Sequence, residues 1–271
     1  MNVWLGAGKT MTKTTALHDW FLVAVLRCAI VIAAAIANPP ALAAGCSFEL
    51  QGEGRVVAII DARSFRMEDG REVRLAGIET SAAHASALSA LVAGRNVTLR
   101  GQTDAPDRYG RQPAFVFVQQ AATPVQNQLL AQGDALASGT VADKACAAEL
   151  LAAEAAARQA RRGIWTDRAA IKNAESRGDI LARIGQFTVV EGKVLSVRQA
   201  GATSYINFGR RWTRDFAVTI SRRAMPAFEA AGISLKSLEN KRIRVRGWVE
   251  ARGGPRIEAA QAGQIEMAGE N

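Results

Sequence analysis

Apolar and polar residues along the chain fall into two cycles of short strands, each cycle interrupted by helical stretches that stop at glycine. In the first cycle, residues 54–60, 64–67, 72–78, 97–99 and 114–118 are apolar or alternating runs bounded by turn signals, and they predict five β-strands. Glu68-Asp69-Gly70 supplies the turn between the second and third, with a glycine free to take positive φ. Helical spacing covers 83–93, closed by Gly94, and 125–132, closed by Gly133. A third, alanine-rich helix is predicted over 143–162. Glu154 stands four residues before Arg158 on it, and Arg158, Arg161 and Arg162 sit near the C-terminal end, where the helix dipole favours cations. Trp165, just past Gly163, is expected to pack this helix onto the strands.

Residues 167–182 are polar, include Gly178 and read as a linker. A second cycle follows: strands over 187–197, 203–208 and 216–220, a helix over 223–231 closed by Gly232, then strands over 243–250 and 256–259. Five strands in a three-strand, helix, two-strand order fit a small closed barrel of the OB type. The predicted fold class is mainly β with helices (α+β): an OB-fold five-stranded barrel with three helices in residues 45–166, and a second OB-like barrel in 183–271.

Residues 1–44 carry another pattern. Lys9, Lys13 and Arg27 flank or precede an apolar run over 28–37, Pro39 and Pro40 break it, and Ala41-Leu42-Ala43 is an A-x-A cleavage site, the layout of a signal peptide. The run after Arg27 is too short to cross a bilayer. No integral span is therefore expected after processing, and the mature protein is expected in the periplasm or secreted. Export changes how the cysteines read. Cys28 leaves with the signal, so Cys46 and Cys146 remain as an even pair in an oxidising compartment, where a disulfide is expected. Ala43-Ala44-Gly45-Cys46 also reads as a loose lipobox, and a lipid on Cys46 would exclude that disulfide. Two distant cysteines and one mature histidine, His84, give no metal-ligand spacing.

Charge separates the two cycles. The whole chain carries +9. Residues 45–182 hold 16 basic and 16 acidic side chains, whereas 183–271 hold 15 and 8, so the mature excess belongs to the second cycle. There Arg211, Arg244 and Arg246 are interleaved with Tyr205, Phe208, Trp212 and Trp248. Cations for a phosphate backbone and flat rings for bases are what single-stranded nucleic acid requires of a groove. The other reading of the same residues is a barrel core plus a solvated basic face, or a face for another polyanion.

Three motifs add a resemblance. Gly70–Ile78 reads GREVRLAGI, Asp107–Arg111 reads DRYGR, and Gly163–Trp165 reads GIW. In that order, over about a hundred residues, they resemble the thermonuclease (staphylococcal-nuclease-like) family. The resemblance implies an OB-type barrel and calcium-dependent phosphodiester cleavage. Two arginines would hold the phosphate, carboxylates would hold calcium, and a glutamate would activate water. Arg74 and Arg111 match the phosphate-binding arginines and Tyr109 the aromatic beside them. Asp61 matches the first aspartate of the family's D-G-D-T motif. Its second aspartate, a calcium ligand, is Arg63 here; the other metal-binding aspartate is Glu79; the proline is Ser81; and the general-base glutamate is Ala82.

A permanent cation at a metal position and a missing base predict a weak or inactive nuclease with no cofactor, the family's calcium being lost. Arg63 is expected to take the ion's place in a pair with Glu79 or Asp61. His84 is a candidate replacement base, or an ordinary histidine at a helix start. The leading expectation is a protein that binds nucleic acid or another polyanion. The alternatives are an active envelope phosphodiesterase and a protein-interaction module. Nothing in the sequence speaks to oligomeric state.

Overall fold

In a computed structural model of the chain, the described residues are Met1, Trp4, Gly6 and 45–269, apart from Ser47, Ala82 and Ala83. The apolar run over 28–37, the Ala41-Leu42-Ala43 triplet and Ala82 lie outside the described residues. Along the chain come β1 (Glu49–Asp61), β2 (Ser64–Met67), β3 (Glu72–Leu75), the two-residue β4 (Ile78–Glu79), α1 (Ala85–Val92), β5 (Asn96–Gly101) and β6 (Arg111–Val118). They continue with α2 (Val125–Gln132), β7 (Leu136–Ala137) and α3 (Lys144–Gln159).

β1 is long enough to serve two neighbours. Its first half pairs with β5 from Glu49↔Gly101 to Arg55↔Asn96, and its second half with β2 from Val56↔Met67 to Asp61↔Ser64. The strands close as β1-β2-β3-β6-β5, every pair antiparallel except β3 with β6. Alternation puts Phe65, Met67, Val73, Leu75, Leu99 and Val116 inside, all essentially without solvent contact. This ring is the predicted OB-type barrel, and the fold is α+β.

α3 buries Cys146, Leu150, Glu154 and Ala157, one stripe at helical spacing. Asp143 caps it by accepting from the Cys146 N–H at 2.8 Å. Cys146 forms the expected disulfide with Cys46, so the segment just before β1 is tied to this first turn.

The second half holds β8 (Ile171–Asn173), α4 (Arg177–Leu181), β9 (Phe187–Lys193), β10 (Ser196–Ala200), β11 (Thr203–Asn207) and β12 (Ala217–Ser221). After these come α5 (Met225–Ala230), β13 (Arg242–Arg252), β14 (Gly254–Glu258) and β15 (Ile265–Met267). The sheet runs β10-β11-β12-β14-β13-β9-β8, with β15 beside β13. β9 and β10 are consecutive in sequence, parted only by Val194 and Leu195, and β12 pairs with β14 in parallel. With β9 and β10 counted as one bent strand, the order repeats that of the first ring.

Two expectations need correction. Residues 167–182 are not a free linker: β8 adds a parallel edge strand to β9, and α4 buries Ile180 against the same core. Few apolar residues suffice there, because an edge strand needs only one covered face. Trp165 does not pack α3 onto the first barrel. It is buried with Ala157 and Val189, where α3 meets β9 of the second sheet.

Ala44–Asn271 form one compact unit. The segment after β7 and the turn before β15 meet backbone to backbone at Gly139 and Gly263. Gly139 has φ 70°, and a Cβ on it would come within 2.5 Å of the Gly263 carbonyl oxygen. A buried charge network spans the same junction. Arg246 of β13 reaches Glu154 of α3 at 2.8 Å and Glu266 of β15 at 3.0 Å, and it donates to the Ala137 carbonyl at 3.0 Å. Arg158 and Arg244 join through Glu266, and Arg244 and Arg242 share Glu191. Glu154, a carboxylate in an otherwise apolar stripe, is thereby paired.

Candidate functional site

The β1–β2 turn places the first of the family positions. Asp61 Oδ1 accepts from the Arg63 backbone N–H at 2.8 Å, so this carboxylate holds the turn. The Arg63 carbonyl accepts from Leu75 N–H at 2.8 Å, which locks the turn against β3. The guanidinium then crosses to β4. It forms an ion pair with Glu79 and donates to the Ile78 carbonyl at 3.2 Å, both side chains being largely covered. Burial pushes the Glu79 carboxyl above the usual glutamate range, against the opposing pull of Arg63. An arginine and a glutamate thus satisfy each other where the resemblance puts metal-binding carboxylates.

Arg74 lies on β3 in register with Pro113 of β6, and Arg111 is in register with Glu72. The two arginines therefore share a face and are diagonal neighbours on adjacent strands. Arg111 closes its own turn: Nε and Nη2 donate to Asp107 Oδ2 at 3.1 and 2.8 Å. Burial raises Asp107, but the hydrogen bonds from Arg111 and Tyr109 outweigh it and hold the carboxyl below its ordinary value. Tyr109 stands at the tip of this turn, 64% exposed, its ring under the guanidinium groups of both Arg108 and Arg111 at 4.7 and 4.8 Å.

The second sheet divides the predicted ligand contacts. Phe208 is buried against Phe216, Arg246 belongs to the junction network with a side chain 1% exposed, and Arg244 is paired with both Glu191 and Glu266. Each of these three faces inward or along a strand next to a partner carboxylate or ring. Tyr205 is half-buried, in register with Arg198 and Thr219. Arg211, Trp212 and Trp248 are exposed.

Between β11 and β12, Arg210, Arg211, Trp212 and Arg214 all face solvent, and none of the three arginines has a salt bridge among the described residues. The backbone beneath them is fixed. Asp215 Oδ2 accepts from Arg211 N–H at 2.8 Å, the Arg211 carbonyl accepts from Arg214 N–H at 2.7 Å, and Arg177 Nε donates to the Arg214 carbonyl at 2.8 Å.

A groove of about 640 Å³, unforeseen from the sequence, lies where the first barrel meets the second sheet. Glu79, Thr80 and Ser81, from the family-site segment, line one end, and Phe187 and Trp248 line another part. His84 and Asp134 also line it, His84 Nδ1 lying 3.0 Å from Asp134 Oδ1. That contact occupies Nδ1 and leaves Nε2 as the second ring nitrogen.

Residues 73–167 match the family model described as "Staphylococcal nuclease homologue". No curated protein matches the chain. The match covers β3 through the turn that holds Trp165, and points to nucleic-acid binding or nuclease activity.

Proposed function

From the premise that residues 73–167 are a staphylococcal-nuclease-like domain, we propose an exported protein that binds nucleic acid through a basic second domain and whose nuclease site is degenerate. The observation that carries the degenerate site is the ion pair of Arg63 with Glu79. A divalent metal needs oxygen ligands and an open negative charge. Here a permanent cation consumes the carboxylate, and the Asp61 oxygen that faces the turn is already accepting a backbone N–H. Binding is favoured by the loop carrying Arg210, Arg211, Trp212 and Arg214, whose charges are uncompensated and whose ring is 67% exposed on a pinned backbone. Single strands bind such surfaces through phosphate charge and base stacking. Export is supported by the Cys46–Cys146 disulfide. Among the described residues, no helix is long and apolar enough to cross a membrane.

The test is anisotropy of a labelled single-stranded oligonucleotide with the full chain, titrated at several salt concentrations. Affinity should fall steeply with salt, since neutralised phosphates release counterions. Arg210→Glu with Arg211→Glu and Arg214→Glu should flatten that slope. Salt-independent or absent binding by the unmodified protein would remove the proposal.

One observation favours a second reading, an active phosphodiesterase. The His84–Asp134 contact orients an imidazole whose Nε2 could take a proton from water. Hydrolysis of single-stranded DNA in chelator, lost in His84→Gln, would establish that reading over the first.

A further inference from the structure

The groove between the barrel and the second sheet is lined by both carboxylates and cations. Three carboxylates line it: Glu79 is paired with Arg63, Asp134 Oδ1 lies 3.0 Å from His84 Nδ1, and Asp167 accepts from Ala169 N–H at 2.8 Å while keeping its charge. The two cations are less engaged. The Lys172 side chain of β8 has no ion pair or hydrogen bond among the described residues, and Arg183 donates to the neutral Gln186 at 3.0 Å. Lys172 and Arg183 are therefore two cations of the groove that no carboxylate pairs among the described residues.

Its flat surface is Trp248. The ring is 48% exposed at the register pair Phe187↔Trp248 and is held edge-on by Phe187, with centroids 6.0 Å apart. A propped, half-covered indole is a stacking platform that loses little freedom when a base lies on it. Ile164 and Leu136 add partly exposed apolar lining to the groove. A volume of about 640 Å³ lies within the range of small-molecule sites and accommodates a nucleotide unit.

We propose that this groove holds one nucleotide unit of a bound single strand, its base stacked on Trp248 and its phosphate met by Lys172 and Arg183. The inference rests on the nucleic-acid reading given above and assigns the strand a second contact, apart from the exposed β11–β12 loop. The two unpaired cations and the exposed indole select this occupant over a neutral sugar or an apolar peptide, neither of which would use the cations.

The experiment uses the full chain and a thymidine oligonucleotide carrying 5-bromodeoxyuridine. Anisotropy gives affinity, and ultraviolet cross-linking followed by peptide mass spectrometry gives the contacted ring. Trp248→Ala should weaken binding about 5- to 150-fold, the range expected for one lost base stack. Lys172→Glu with Arg183→Glu should weaken it as well and lower the salt slope by about 1–2. The adduct should fall on the peptide that contains Trp248. If the oligonucleotide binds the unmodified chain but Trp248→Ala binds equally and adducts fall only on the Trp212 peptide, the groove assignment is overturned while the binding function stands. If the unmodified chain binds no oligonucleotide, the function and the groove assignment fall together.

Discussion

Arg246→Met tests whether the basic residues of β13 serve the ligand or the fold. The substitution keeps the volume of the side chain's stem and leaves the Glu154 carboxylate, itself without solvent exposure, short of its nearest cation. Removing one partner from a buried pair costs about 3–5 kcal/mol. Glu154 would retain the Ala137 N–H at 2.7 Å and Arg158 at 3.3 Å, so the low end applies, about 3 kcal/mol. The lost contact to Glu266, which is partly exposed, adds little. In a unit of this size each kcal/mol moves Tm by about 2–4 °C, so a fall of about 6–12 °C is expected. Adding Glu154→Gln should recover most of it, to within about 1 kcal/mol, because the uncompensated charge is then gone while an acceptor for Ala137 remains.

Thermal unfolding followed by circular dichroism gives Tm, and oligonucleotide anisotropy well below Tm gives affinity. A drop below 2 °C, or a double variant less stable than Arg246→Met alone, would refute the buried-pair argument. A large loss of affinity in a fully folded Arg246→Met would return this residue to the ligand.

Three further outcomes are expected. Reduction of Cys46–Cys146, or Cys46→Ser, should destabilise the protein by up to about 4–5 kcal/mol in the chain-entropy model of a closed loop of this length, read as a lower Tm in reductant. Arg63→Asp combined with Ala82→Glu should give calcium-dependent cleavage of DNA that neither change gives alone, since metal and base act as a unit; equal cleavage by the unmodified protein would sink this. The pH dependence of stability should carry a Glu79 component. Its folded-state carboxyl sits above the ordinary value, so stability from this group is full below the ordinary glutamate pKa and declines as pH rises through the raised one. Glu79→Gln should flatten that segment of the profile.

What could be read from the sequence was local. The Glu68-Asp69-Gly70 turn, the run 64–67 and the helix over 125–132 depend on neighbouring residues, and they appear at the expected positions. The Arg63–Glu79 pair was also legible, because the family pattern brings those two positions to one place. Contacts between distant segments were not. Arg246 and Phe208 look like ligand contacts by residue type, and only the pairing of β13 with β9 and the packing of α3 reveal Glu154 and Phe216 as their partners. The edge role of 171–173 was hidden for the same reason: three residues have no periodicity to read. The groove needs both halves of the chain at once, and no single stretch encodes it.

The burial of Glu154 has a consequence for the order in which the protein is made. Its cation, Arg246, lies 92 residues later. At synthesis rates of about 5–20 residues per second, α3 would exist for about 5–20 s before that arginine leaves the ribosome. During that interval the first barrel can assemble, but Glu154 has only Ala137 N–H and Arg158 as partners, and the apolar surface around Trp165 lacks the Val189 that later covers it. The nascent first half is thus an unfinished object, sticky on one side, until the last third of the chain arrives to complete it.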